Sequence, residues 1–237
     1  MNEIKAALLA ALDEYQISLD ATATERLCGY YALLVERNRV INLTAITQPQ
    51  EVAVKHFADS LMLLKYCDIP QGASVIDVGT GAGFPGLVLA IARPDLRVTL
   101  LDSLQKRLTF LEEVCGALDI SNVATVHSRA EDGSRTELRG SFDVAVARAV
   151  APLNVLSEYC LPYVKTGGCF LAMKGRSAAD ELAQAQHAIA VLGGAVEDQA
   201  YFTLGEAGER GILTIRKIAP TPDAYPRKSK AIQKKAL

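Results

Sequence analysis

The sequence predicts an α/β fold: a mainly parallel seven-stranded sheet covered on both faces by helices, with an antiparallel last strand, preceded by an all-helical N-terminal region. Three observations carry this. Up to residue 70 the apolar residues recur at helical spacing and nothing reads as a strand. Beyond Pro70-Gln71-Gly72, short β-branched runs alternate with helical patterns, which implies parallel strands joined by crossover helices. The last two runs are separated only by Gly205 to Arg210, too short for a crossover, so they form an antiparallel hairpin at the edge of the sheet.

In order, helices are expected over Ile4 to Tyr15, Thr24 to about Ile41 and Glu51 to Tyr66. In the second, Leu27, Tyr30, Tyr31, Leu34 and Val35 mark the apolar face, which assigns the tyrosine pair to the core. Pro49 suits the first turn of the third helix, with Thr47 or Gln48 as cap. Strands follow over Ser74 to Val78, Arg97 to Leu101, Asn122 to Val126, Phe142 to Ala147, Gly168 to Met173, Val196 to Leu204 and Gly211 to Ile218. The helices between them span Pro85 to Ala92, Leu104 to Leu118, Pro152 to Tyr163 and Ala178 to Leu192. The chain thus divides into a helical region, 1–70, packed on a catalytic domain, 71–218, and a basic tail, 219–237.

Half of the 237 residues are hydrophobic, enough for one sizeable core. The longest run without polar side chains, Gly81 to Ala92, falls far short of the roughly 20 residues of a membrane span, and Glu3, Lys5, Asp13 and Glu14 break any signal peptide; a cytoplasmic monomer is expected. Five scattered cysteines (Cys28, Cys67, Cys115, Cys160, Cys169) form no C-x-x-C pair, which argues against a disulfide framework and against a metal site. From Tyr225 onward lie five bases and no acid, leaving 20 bases against 27 acids, a net −7, upstream. That tail is either a contact for a polyanion or a solvated terminus.

The chemistry concentrates in Val75-Ile76-Asp77-Val78-Gly79-Thr80-Gly81-Ala82-Gly83-Phe84. Gly81 to Gly86 matches G-x-G-x-x-G, and Asp102 follows Gly81 by 21 residues, so a nicotinamide dehydrogenase is a rival reading. Asp77 decides between them, because its carboxylate ends the first strand where a pyrophosphate would sit on helix-terminal N–H groups. S-adenosylmethionine carries no phosphate but has an ammonium and a sulfonium, which an acid favours. Asp102 is then suited to both ribose hydroxyls. Five parallel βα units closed by a reversed strand also describe the class I, Rossmann-like S-adenosylmethionine-dependent methyltransferases better than a dehydrogenase.

Two acceptor chemistries are disfavoured. After the fourth strand, Ala147-Arg148-Ala149-Val150-Ala151-Pro152 lacks the Asn/Asp-Pro-Pro-aromatic motif of amine-directed enzymes, and no proline precedes a cysteine as in cytosine-C5 enzymes. Several segments resemble the family of bacterial 16S rRNA (guanine-N7) methyltransferases known as RsmG or GidB (glucose-inhibited division protein B). They are Asn38 to Thr44, Lys55 to Ser60, Asp77 to Gly86, Arg129-Ala130-Glu131, Ala147 to Val150 and Met173-Lys174-Gly175, in order, followed by Tyr225-Pro226-Arg227. Arg37 stands where the family carries tryptophan, and the tail lacks the Gly and Pro that follow Tyr-Pro-Arg. The resemblance implies that Gly79, Phe84, Ala130, Glu131 and Arg148 contact S-adenosylmethionine. It also implies that the target is a guanine of the 530 loop of 16S rRNA (position 527 in the usual rRNA numbering), on the RNA or on a small-subunit assembly intermediate.

Guanine N7 holds an in-plane lone pair and no proton, so no general base is assigned and catalysis is expected from alignment. The N7 edge of an A-form helix lies in a groove too narrow for side chains, so the guanine must be unstacked. Arg148 is the candidate for positioning cofactor and base, and Lys174, Arg227 and Lys228 are candidate RNA contacts; for Arg148 and Lys174 the alternative is a surface base paired with a neighbouring acid. The cofactor set is Asp77, Gly79, Gly81, Gly83, Phe84, Asp102, Ala130, Glu131 and Arg148. His56 and Asp59, three apart on a helix, are expected to pair, and His56 with Asn38 and Asn42 either closes the cofactor pocket or ties the helices to the sheet. His127 and His187 are read as structural. A small-molecule or protein methyltransferase and a non-catalytic S-adenosylmethionine sensor are the competing readings.

Overall fold

A computed structural model describes residues 2–237. The helical region comprises α1 (Asn2–Glu14), α2 (Ala21–Asn38), α3 (Pro49–Val52) and α4 (Asp59–Tyr66). Helix α2 begins where the Asp20 carboxylate accepts the Ala23 N–H at 2.7 Å, and Pro49 opens α3, while Gln48 caps it without a side-chain bond. The expected continuous helix over Glu51 to Tyr66 is interrupted: Ala53–Ala58 widens into a π turn. Leu27, Leu34, Leu61 and Leu63 are fully buried, and each such side chain contributes about 1.5–3 kcal/mol.

The α/β region follows as β1 (Ser74–Val78), α5 (Gly86–Ala92), β2 (Arg97–Asp102), α6 (Gln105–Ala117), β3 (Val123–His127), α7 (Ala130–Gly133), β4 (Phe142–Arg148), α8 (Leu153–Cys160), β5 (Val164–Lys174), α9 (Ala178–Val191), β6 (Gly194–Thr203) and β7 (Glu209–Lys217). The sheet order is β3-β2-β1-β4-β5-β7-β6, with β7 antiparallel to both its neighbours and the other six strands aligned. The reversed strand is therefore not the outermost. Its Ile212, Leu213 and Ile215 are buried, whereas β6 carries exposed Glu197, Asp198 and Gln199, which suit an edge. Helix α8 stops at Cys160 and tightens into a 3₁₀ turn because Pro162 cannot donate an amide hydrogen.

One core cluster lies between the N-terminal helices, α5, α6 and the sheet; the other lies under α8 and α9. Cys28, Cys160 and Cys169 sit within them, and burial pushes their thiol pKa values up. The tail is ordered and ends in α10 (Ser229–Lys234) with Ile232 buried. No described helix is long and apolar enough to cross a membrane, and no cluster of three or more metal-binding side chains occurs among the described residues.

Candidate active site

The strand order diverges between β1 and β4, and a crevice opens there at the carboxyl ends of the strands. The turn after β1 is pinned by Leu101 O, which accepts from Gly79 N at 2.8 Å and Thr80 N at 3.0 Å, and by Asp102 Oδ2, which accepts from Gly81 N at 2.9 Å. Asp77 is fully buried. Its Oδ2 accepts from Thr80 Oγ1 at 2.7 Å and from Gly86 N, the first amide of α5, at 2.8 Å. A carboxylate thus holds the helix terminus that a dinucleotide pyrophosphate would need, which removes the dehydrogenase reading. Burial pushes the Asp77 carboxyl up to about 6.

A recess of about 330 Å³ follows from this turn across β2, β3 and α7, lined among others by Gly79, Asp102, Ser103, Ala130, Glu131 and Val150. Two buried carboxylate oxygens, Asp77 Oδ1 and Glu131 Oε1, have no hydrogen-bond partner among the described residues. Asp102 Oδ1 takes the Leu104 N–H at 2.9 Å, while Arg107 reaches its oxygens at 3.2 and 3.5 Å. The expected pair of ribose contacts on Asp102 therefore competes with helix capping and with Arg107, the more exposed and displaceable partner. The wall carries Asp102 and Glu131 beside Arg107, Arg129, Ser103 and Ser128, while Asp77 is fully buried and does not line it; the two acids, with the unpartnered Glu131 oxygen, fit a ligand bearing hydroxyls and cationic N–H groups. Gly83 faces away, towards Tyr30 and Leu111.

A second recess, about 610 Å³, adjoins the first and shares Ala149 and Val150 with it. Ala149 adopts a left-handed conformation (φ 56°), and Val150 lies over Gly79. Arg148, ending β4, donates from Nη1 to Asp59 Oδ2 at 2.7 Å and to Lys55 O at 3.1 Å, and its guanidinium lies 5.1 Å from the Phe84 ring centroid. His56 also stacks on Phe84, 4.3 Å away and nearly parallel, with Nδ1 3.4 Å from Arg148 Nη2 and Nε2 2.9 Å from Thr44 Oγ1. Burial, then the Arg148 charge, lowers the His56 pKa to about 3, so its ring is neutral.

The anticipated His56–Asp59 pair is corrected. The π turn changes their spacing, and Asp59 takes Arg148 and Arg210 (3.3 Å) instead, because a buried carboxylate gains more from permanent cations than from a desolvated imidazole. Asn38 does not reach the recesses; it staples its own loop, accepting from Leu43 N and Thr44 N and donating to Thr44 O. Asn42 is exposed. Tyr30 is core and donates to Ala82 O, while His127 rests on Ser103 O at 3.0 Å.

Lys174 lines the second recess but is buried against Glu181 and Ala151 O, both at 2.6 Å. Arg227 lies elsewhere, clamped on the fully buried Glu158 of α8 at 2.6 to 3.2 Å, and leaves Lys228 exposed. Arg37, in the place of the expected tryptophan, pairs with Glu113 on α6. Sequence reasoning missed Arg210 and Thr44. No local pattern marks either, since their partners are set by the fold.

Comparison with known proteins accords with this geometry. Residues 23–210 match the family described as GidB, rRNA small subunit methyltransferase G. The chain is 46% identical, over all of both chains, to a ribosomal RNA small subunit methyltransferase G from Desulforamulus reducens. It is 47% identical, over 97% of each, to the protein of the same name from Staphylococcus carnosus. Among solved structures, similar ones include a 16S rRNA (adenine(1408)-N(1))-methyltransferase from Catenulisporales acidiphilia with cosubstrate SAM. It is 19% identical, with 63% of this chain and 87% of that one covered and a TM-score of 0.52. A precorrin-6y C5,15-methyltransferase from Geobacter metallireducens is 18% identical, with 75% and 91% covered and a TM-score of 0.51; both establish the fold alone. The chain belongs to the rRNA small subunit methyltransferase G family and is an S-adenosylmethionine-dependent methyltransferase of small-subunit ribosomal RNA.

Proposed function

We propose that the methyl acceptor is N7 of a guanine in the 530 loop of 16S rRNA. One observation carries this reading: the recess beyond Ala149–Val150 offers no free base. Among the described residues lining it, Asp59 is held by Arg148 and Arg210, Glu181 by Lys174, and His56 is neutral with its ring nitrogens engaged. An acceptor that must lose a proton is poorly served there, whereas guanine N7 attacks through a lone pair. S-adenosylmethionine, when bound, supplies an electrophilic methyl group. Asp102 and Glu131 would hold it in the first recess, with the unpartnered Oδ1 of the fully buried Asp77 as a further acceptor, and the Ala149–Val150 partition would set the line between donor and acceptor. The Arg148 guanidinium, fixed by Asp59 and Phe84, is oriented to steer a base or a phosphate at the second recess.

The segment resemblance supports the guanine and the loop, and a target on the small subunit puts the work in the cytoplasm. The guanine is expected to be unstacked, on protein-free RNA or an assembly intermediate. Small subunits and deproteinised 16S RNA from cells lacking the activity, incubated with methyl-labelled cofactor, should yield label in N7-methylguanine at one nucleotide. Absence of that product on both substrates overturns the proposal.

A further inference from the structure

We infer that single-stranded RNA flanking the target nucleotide crosses the β5–β7–β6 edge of the sheet, with Tyr201 as the platform on which a neighbouring base stacks. This rests on the reading of the second recess as the acceptor site. The recess does not end at Arg148: a further cavity of about 400 Å³ shares Gly175, Phe202 and Arg210 with it and is also lined by Arg176 and Tyr201. The two form one trough from the donor–acceptor partition to the outer strand.

The register explains its floor. Lys174 on β5 pairs with Gly211 on β7, which pairs with Tyr201 on β6, so these three stand in one row across the sheet. Gly211 has no side chain, and the Tyr201 ring lies across it: a Cβ built on Gly211 would fall 3.3 to 3.4 Å from two ring carbons. One edge of the ring thus packs against Gly211. Its hydroxyl is held by Gln199 Oε1 at 3.0 Å, yet half of the residue (50%) is exposed, although large aromatics are normally covered. Next to it Phe202 points to the opposite face and stacks on Tyr66 of α4 at 4.9 Å, which fixes the strand.

Charge along the trough selects the occupant. Arg176, at the mouth, is exposed and makes no ion pair among the described residues; Glu209 lines the same outer cavity, and farther in Lys55 pairs with Glu51, Lys174 with Glu181, and Arg148 and Arg210 with Asp59. A half-exposed aromatic ring beside one unpaired cation, Arg176, is the arrangement that binds single strands, the ring taking a base of any identity and the cation its backbone. With strands about 4.8 Å apart, Tyr201 stands two strand spacings from Lys174, close enough for a nucleotide adjoining one seated over β5.

The test compares wild type with Tyr201→Ala, Tyr201→Phe and Arg176→Ala for kcat and KM of total methyl incorporation into deproteinised 16S RNA and, in parallel, into the RNA of intact small subunits. Affinity for the same RNA by filter binding and for S-adenosylmethionine by calorimetry is measured on the same preparations. Tyr201→Ala should raise KM and RNA Kd about tenfold with cofactor affinity unchanged, and Tyr201→Phe should restore both. Arg176→Ala should weaken RNA binding and lower its salt dependence by about one unit of slope. Unchanged KM and RNA affinity in Tyr201→Ala overturns the inference. So does a loss confined to intact small subunits, which would assign the surface to a ribosomal protein. If wild type methylates no RNA, the proposed function falls, and the trough is still judged by the binding data.

Discussion

Arg148 Nη1 and Asp59 Oδ2 lie 2.7 Å apart, and the other oxygen of the same carboxylate accepts from Arg210, so one nearly buried acid joins the end of β4, the π turn and the β6–β7 hairpin. Breaking the pair leaves Asp59 buried with a single weaker partner. Arg148→Ala should therefore destabilise the fold by roughly 3 kcal/mol, at the low end for a broken buried pair because Arg210 remains. Arg148→Lys keeps the charge but loses the flat contact with Phe84, and should lower turnover at least tenfold with a smaller shift of the urea midpoint. Urea unfolding and steady-state kinetics on both variants check this.

The Asp77 carboxyl, raised from 3.8 to about 6 by burial, makes a signed prediction. Between pH 4 and 6 the native state holds its proton more tightly than the unfolded chain, so this group's contribution to stability falls as pH rises through that window and is constant above it. Asp77→Asn removes that cost, on the order of 3 kcal/mol, and should not lower Tm at pH 7. Cofactor binding should nonetheless be lost, and wild-type affinity should weaken as pH drops through about 6. Calorimetric titrations from pH 5 to 8 read this; a pH-independent wild-type Kd would refute the role of the charge.

Two glycines of the turn should respond differently. Both have positive φ, 62° at Gly81 and 103° at Gly83, but a Cβ at Gly81 meets nothing closer than 3.9 Å, while one at Gly83 falls 2.6 Å from the Tyr30 hydroxyl and 2.8 Å from Leu111. Gly81→Ala is expected to cost about 1–2 kcal/mol from backbone strain alone. Gly83→Ala should cost clearly more, because it also displaces the Tyr30 contact that joins α2 to the turn. Chemical denaturation of the two variants side by side gives the comparison.

The basic tail separates into a structural and a free part. Arg227→Ala removes the guanidinium from the fully buried Glu158, leaving it only the backbone N–H of residue 227, and should destabilise by roughly 3 kcal/mol. Lys228→Ala, on an exposed side chain, should leave Tm unchanged and, if the tail meets RNA, reduce the salt slope of RNA binding by about one. Point variants are the cleaner probe, since deleting Tyr225 to Leu237 removes the Glu158 clamp together with the lysines. Differential scanning calorimetry and salt-dependent RNA binding distinguish the two effects.

The sequence by itself determined the seven strands and the longer helices in order, though not the π turn, α7 or α10, together with the reversed last strand and the acidic glycine turn with Asp102 at the next strand end. Those features are local: helical and strand periodicity, a hairpin too short to cross over, and a carboxylate at a strand terminus all act within a few residues. Tertiary structure alone decided which charges meet. Asp59 finds Arg148 and Arg210, 89 and 151 positions away, and Glu158 finds Arg227 across 69, because sheet order and the π turn bring them together in places where an unpaired charge is costly. Burial likewise decided that His56 is neutral and that Asp77 resists ionisation, since desolvation is a property of the surroundings and not of the residue.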